Sequence, residues 1–190
     1  SVTTPPSLRT LYFVAGGGDH VSGVCPVHLN HLLRQWKPAN MLVDSMGPRT
    51  RARYFAFVAL YQFSTTFDPI EELLRTQWGS DDGKNADTPM RTFATQLATL
   101  ALKQLDTIDR LIQQYARKRA LHRIAKVDLS LLRLGSAELL YISDVPIAVT
   151  INEMVEFAKH FGADESPRFV NAILDAIEGH RDEVADSERV

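Results

Sequence analysis

One cysteine in 190 residues leaves no partner for a disulfide within the chain. A disulfide-stapled secreted scaffold is thereby excluded, and a reducing compartment such as the cytoplasm is expected. No run approaches the roughly 18 consecutive apolar residues that a membrane helix needs. Neither charge is in excess: 21 Lys and Arg stand against 23 Asp and Glu, a net of -2. That excludes a uniformly basic nucleic-acid binder while leaving room for a basic face. No stretch alternates apolar and polar residues over the length of a strand, and no internal repeat is present. Absent too are a phosphate-cradling loop, a dinucleotide glycine fingerprint after a strand, and an HExxH helix. Gly16-Gly17-Gly18 is not followed by the Lys-Ser/Thr helix start that a phosphate loop requires.

What is present is ordinary for a globular protein: 45% apolar and 23% charged residues, in a length that fits one domain with some excess. The charge is unevenly placed. Residues 1–152 hold 17 basic and 13 acidic side chains, residues 153–190 hold 4 and 10. One basic run is Arg49, Arg51 and Arg53; another is Arg117, Lys118, Arg119, Arg123 and Lys126; the acidic end carries Asp182, Glu183, Asp186 and Glu188. Residues 1–47 are rich in Pro and Gly without a helical period, so a poorly ordered extension is expected there. His20, Cys25, His28 and His31 match a zinc motif poorly, having a single thiolate. Met46 offers an alternative start.

From Arg49 onward the pattern is helical. A first helix over 49–64 is apolar on two stripes, so it is buried on several sides or meets a partner. Asp68-Pro69 reads as N-cap and first position of a helix running to Trp78, and Thr88-Pro89 opens a third by the same signal. The seam Ala94, Ala98, Ala101, Leu105, Ile108, Ile112, Tyr115 predicts one long third helix of a bundle. A basic turn leads to a helix over 127–142 with few polar positions, expected to be the central, most buried one. Asp144-Val145-Pro146 stops it. Thr150 and Glu153 have capping-box spacing in the next helix, which ends at Phe161-Gly162 with a left-handed stop expected at the glycine. Ser166-Pro167 opens the last helix, and beyond Gly179 the chain is polar. The expected fold is all-α, a compact bundle of about six or seven helices. The expected organisation is an extension over 1–47, a helical domain over 48–179 and an acidic tail over 180–190.

No residue set makes a catalytic centre. Cys25 lies in the least regular segment, where no base is held beside it. Glu153 and Glu156 could be paired carboxylates, but on a surface helix they serve caps and pairs with Lys159 or His160; His122 and His160 lack ligand partners at a recognised spacing. What remains is a surface for polyanions. Arg49, Arg51 and Arg53 stand at a helix start, where unpaired N–H groups already attract phosphate. Tyr61 lies farther along that helix, and aromatic faces near arginines suit unstacked RNA bases. The alternative for Tyr61 is a core residue with its hydroxyl at the edge.

Arg49-Thr50-Arg51-Ala52-Arg53, then Ala56 and Ala59-Leu60-Tyr61-Gln62-Phe63, resemble the opening helix of the NusB family. Val127-Asp128, Leu132-Arg133, Glu138-Leu139, Asp144-Val145-Pro146 and Ile151-Asn152-Glu153 continue the likeness in order. Glu156-Phe157-Ala158-Lys159, Phe161-Gly162 and the run from Phe169 to Asp175 complete it, over about residues 48–178. The resemblance implies two small helical bundles packed together, and a transcription antitermination factor without enzymatic activity or cofactor. It implies binding of boxA-type RNA in nascent ribosomal RNA transcripts together with the small-subunit ribosomal protein NusE, within an RNA polymerase antitermination complex, as monomer or homodimer. By the same implication, Arg49, Arg51, Arg53, Tyr61, Arg168 and Phe169 contact RNA, and Arg123 and Asp128 face the protein partner. Glu165, three residues before Arg168, is then expected to repel phosphate at that contact. Asn152 and Asn171 are expected to make polar contacts between helices. Arg119 stands where the family usually has tryptophan, and Ala137 where it usually has tyrosine. Two other readings stay open: the helical domain of a truncated RNA 5-methylcytosine methyltransferase, and a protein–protein adaptor without RNA binding.

Overall fold

The computed structural model describes residues 45–79, 83–116 and 119–181. The expectations for the histidine-rich extension and the acidic tail fall almost wholly outside them. Among the described residues there are seven α-helices and no strand: α1 (Pro48–Thr66), α2 (Ile70–Trp78), α3 (Thr88–Lys103), α4 (Leu105–Tyr115), α5 (Lys126–Tyr141), α6 (Ile147–Phe161) and α7 (Ser166–Glu178), with a 3-10 turn at Leu121–Arg123 before α5.

Two helices carry the core, and each is apolar nearly all round. Every residue from Ala52 to Leu60 in α1 is buried, as is every residue from Ser130 to Leu140 in α5. The consequence is that α1 packs on α2, α3 and α5, while α5 packs on α1, α3, α4, α6 and α7. One bundle is thus α1 with α2 and α3, the other α5 with α6 and α7, and the α1–α5 contact joins them. Aromatic rings fill the joint: Phe57 stacks on Phe157 at 6.2 Å and Tyr54 meets Phe161 at 5.8 Å. Each such fully buried side chain contributes roughly 1.5–3 kcal/mol. Gly135 lets the second bundle close, because a Cβ there would meet Met154 of α6 and Leu174 of α7 at 2.9 Å.

The expected long third helix is two helices. Its apolar seam holds, but the backbone turns at Gln104 (φ -102°, ψ 17°). The reason is a change of partner: α3 lies against α1 and α5, whereas α4 lies against α5 and α7. One straight axis would not serve both.

Several caps also differ from the sequence signals. Helix α2 begins at Ile70, one residue late, and Asp68 makes no cap bond. Asp87, not Thr88, caps α3, accepting from Met90 N–H at 2.9 Å. No capping box forms in α6, because its helix has already begun at Ile147: Thr150 is buried and Glu153 instead accepts from Thr50 of α1 at 2.8 Å. Gly162 is extended (φ -95°, ψ -175°), not left-handed. Its need for glycine is steric, since a Cβ would lie 2.4 Å from Cβ of Ser166. The left-handed stop is Phe67 (φ 58°), which ends α1 by donating to Phe63 O at 3.0 Å. Ser166 is the buried first residue of α7, and its hydroxyl accepts from Ala163 N–H at 2.9 Å.

Candidate nucleic-acid interface

The first turns of α1 oppose ordinary helix electrostatics. Cations at a helix N-terminus are unfavourable by a few tenths of a kcal/mol or more, yet Arg49, Arg51 and Arg53 cluster there without an acidic residue in the first turn. Gly47 supplies no capping side chain. Such an end suits an anion, and the structure shows how each arginine is held.

Arg49 is exposed. Its guanidinium lies over the Phe93 ring of α3, 4.1 Å from the centroid, and pairs loosely with Asp144 at 3.8 Å. Arg51 is half-buried, 5.9 Å from the Phe55 ring. Arg53, expected at the RNA surface, is corrected to an interior group. It is 2% exposed and its guanidinium donates to Glu138 of α5, with Nη2 to Oε1 at 2.7 Å and Nε to Oε2 at 2.9 Å. Glu138 itself is wholly buried. The sequence pattern of alternate arginines cannot tell these fates apart. On a helix, positions 49 and 53 are four residues apart and share a face, both guanidiniums lying over Phe93 at 4.1 and 5.6 Å, while position 51 points roughly the opposite way. Arg53, one turn farther in, reaches Glu138 of α5. Tyr61 is half-buried against Phe57, with ring centroids 6.5 Å apart. It rests on the core without being closed off from the surface.

A second group forms at the start of α7. Glu165 and Arg168 are exposed there, and Phe169 is half-buried. The Arg119 guanidinium sits 5.2 Å from the Phe169 ring. Together with Tyr115 and Ile173 these two residues line an apolar groove of about 620 Å³ between α4 and α7. Tyr115 is fixed beside it by a 2.6 Å hydrogen bond between its hydroxyl and His180 Nε2. Arg119 was visible in the sequence as part of a basic run and as a departure from the family pattern; the contact makes it a member of this surface.

The residues expected on the partner face divide. Arg123 is exposed on the 3-10 turn, but Asp128 is buried at 7% exposure, beneath the start of α7. It is therefore corrected from a surface contact to an interior group. Burial pushes its carboxyl above the ordinary range, against the Ser166 hydroxyl and the Arg119 guanidinium, which pull it down. Asn171 is corrected likewise: it donates to Asp175 on its own helix at 2.8 Å and does not bridge helices. Glu156 pairs with Lys159 at 2.6 Å, as their spacing suggests. A second bidentate pair, the buried Arg133 with the half-buried Asp109 at 2.8 Å, ties α5 to α4. Among the described residues no helix is long and apolar enough to cross a membrane.

Comparison with known proteins bears on this arrangement. The NusB family profile matches residues 50–179. The transcription antitermination protein NusB of Syntrophotalea carbinolica is 38% identical over 144 residues, covering 69% of this chain and 92% of that protein. That of Myxococcus xanthus is 38% identical over 133 residues, covering 70% and 95%. The solved structure of T. maritima NusB superposes with a TM-score of 0.66 at 35% identity, covering 74% of this chain and 98% of that one.

Proposed function

The chain belongs to the NusB family, and from that premise we propose that it is a cytoplasmic, non-enzymatic transcription antitermination factor. It binds boxA-type RNA of nascent ribosomal RNA transcripts together with NusE, and so joins an RNA polymerase antitermination complex. The observation that carries this reading is the head of α1: uncapped, free of acidic residues, and presenting Arg49 at the surface with Arg51 beside it. Backbone N–H groups and guanidinium groups together attract phosphates, while the half-buried Tyr61 and Phe169 offer ring edges for unstacked bases. Arg168 lies beside Phe169 to meet a phosphate. On the partner side, Arg123 is the exposed candidate; Asp128 lies in the interior, against Ser166 at the start of α7.

The test is binding of labelled boxA-type RNA against a scrambled RNA, at two salt concentrations, with and without NusE. Selective binding that NusE strengthens and salt weakens is expected. Binding of NusE with no RNA preference in any condition would replace this reading with that of a helical adaptor.

A further inference from the structure

A cavity of about 480 Å³ opens between the head of α1, the first turns of α3 and the turn after α5. Its walls are the Phe93 ring and Pro89, with Arg49 covering the ring at 4.1 Å. Its rim is polar: Thr92, Gln96 and the carboxylate of Asp144, which stands 3.8 Å from the Arg49 guanidinium. Phosphate seeks cations and N–H donors; it does not seek an aromatic wall or a carboxylate. A flat base seeks both. A guanidinium resting on an aromatic ring offers its other face to a nucleobase. A carboxylate has two acceptor oxygens and no donor, so it selects a base edge that carries adjacent N–H groups. Among the RNA bases only guanine presents two such donors side by side on its pairing edge, its ring N–H and its exocyclic amino group.

We infer that this cavity is a guanine-selective pocket for one unstacked base of the bound RNA, with Arg49 as the stacking platform and Asp144 as the reader of the base edge. The inference rests on the RNA-binding reading above and adds to it a base identity and a place. It also assigns a role to the loose Arg49–Asp144 pair. Both side chains are mostly exposed, at 59% and 68%, so the pair is too weak to be needed for folding. It holds the two recognition groups at the pocket mouth.

The experiment uses the full chain with NusE and a set of boxA-type RNAs in which each guanine is replaced in turn by inosine, which lacks the exocyclic amino group. One position is expected to lose about tenfold in affinity on replacement in the wild-type protein. The same replacement is expected to have no effect in Asp144→Ala, whose melting temperature stays at the wild-type value. Indifference of the wild-type protein to inosine at every position would overturn the proposal. So would an Asp144→Ala protein that keeps the guanine preference, or that binds guanine and inosine RNAs more tightly by one common factor; the latter would make Asp144 only a competitor of phosphate for Arg49. If the wild-type protein binds no boxA-type RNA selectively, the RNA reading itself fails, an outcome distinct from selective binding without guanine discrimination.

Discussion

Truncating Arg53 to alanine separates a structural arginine from an RNA-binding one. The guanidinium is 2% exposed and makes two-point contact with a carboxylate that has no exposure at all. Removing it strands that charge in the α1–α5 joint. Breaking a buried pair from one side costs about 3–5 kcal/mol, because the remaining ion has neither water nor partner. For a helical domain of this size each kcal/mol lowers the melting temperature by about 3–4 °C, so a fall of roughly 10–20 °C is expected. Replacing both partners, Arg53→Met with Glu138→Leu, should recover most of that loss, since the desolvation cost disappears together with the attraction. Thermal melting by circular dichroism measures both variants, and RNA binding is read on the double variant well below its transition. The reasoning predicts wild-type RNA affinity per folded molecule. It is refuted if Arg53→Ala melts at the wild-type temperature, or if the stable double variant has lost RNA binding.

Arg51→Ala should weaken RNA binding across sequences and flatten the dependence of log affinity on log salt by about one unit, as measured by anisotropy titrations, if this side chain meets one phosphate. Glu165→Asn, at an exposed site ahead of Arg168, should tighten RNA binding a few-fold by removing a like charge; equal or weaker binding would take Glu165 off the RNA face. Burial holds the Asp128 carboxyl above its ordinary range, so the folded state favours the protonated form. The penalty on its charged form is absent below the unfolded value and grows as pH rises through the folded one. Asp128→Asn should therefore raise the melting temperature at pH 7 and leave it unchanged near pH 3; a rise of equal size at both would refute this.

Much of the fold was legible because its signals are local. Among the described residues, apolar periodicity and cap signals located the helical segments, though they ran α3 and α4 together, and the near-absence of polar positions in 127–142 marked α5 as buried on all sides. Boundaries were less legible where tertiary partners decide them. Gln104 interrupts a continuous seam because the halves of that seam pack on different helices, a fact no local window holds. Ser166 and Thr150 look like caps in sequence and are buried in the structure, Thr150 well inside a helix that has already begun at Ile147. The interface was legible as a set of residue types but not as a set of contacts. Arg49, Arg51 and Arg53 look equivalent until α5 places Glu138 under the last of them. Phe93 carries no signal of its own, and Asp144 reads in sequence only as part of a helix stop and a family block; their place beside Arg49, far away in the chain, comes from the fold. Arg119 shows the reverse case: it breaks the family pattern, and its position over Phe169 supplies a cation where a ring was expected.

The central claim is that this helical domain helps RNA polymerase pass terminators through boxA RNA. Its most direct test is terminator readthrough in a reconstituted transcription reaction containing NusE, on templates with an intact or a scrambled boxA. The account predicts that adding the wild-type chain raises readthrough on the intact template only, and that Arg51→Ala reduces the gain. Readthrough that is unaffected by the chain, or that rises equally on both templates, would contradict it.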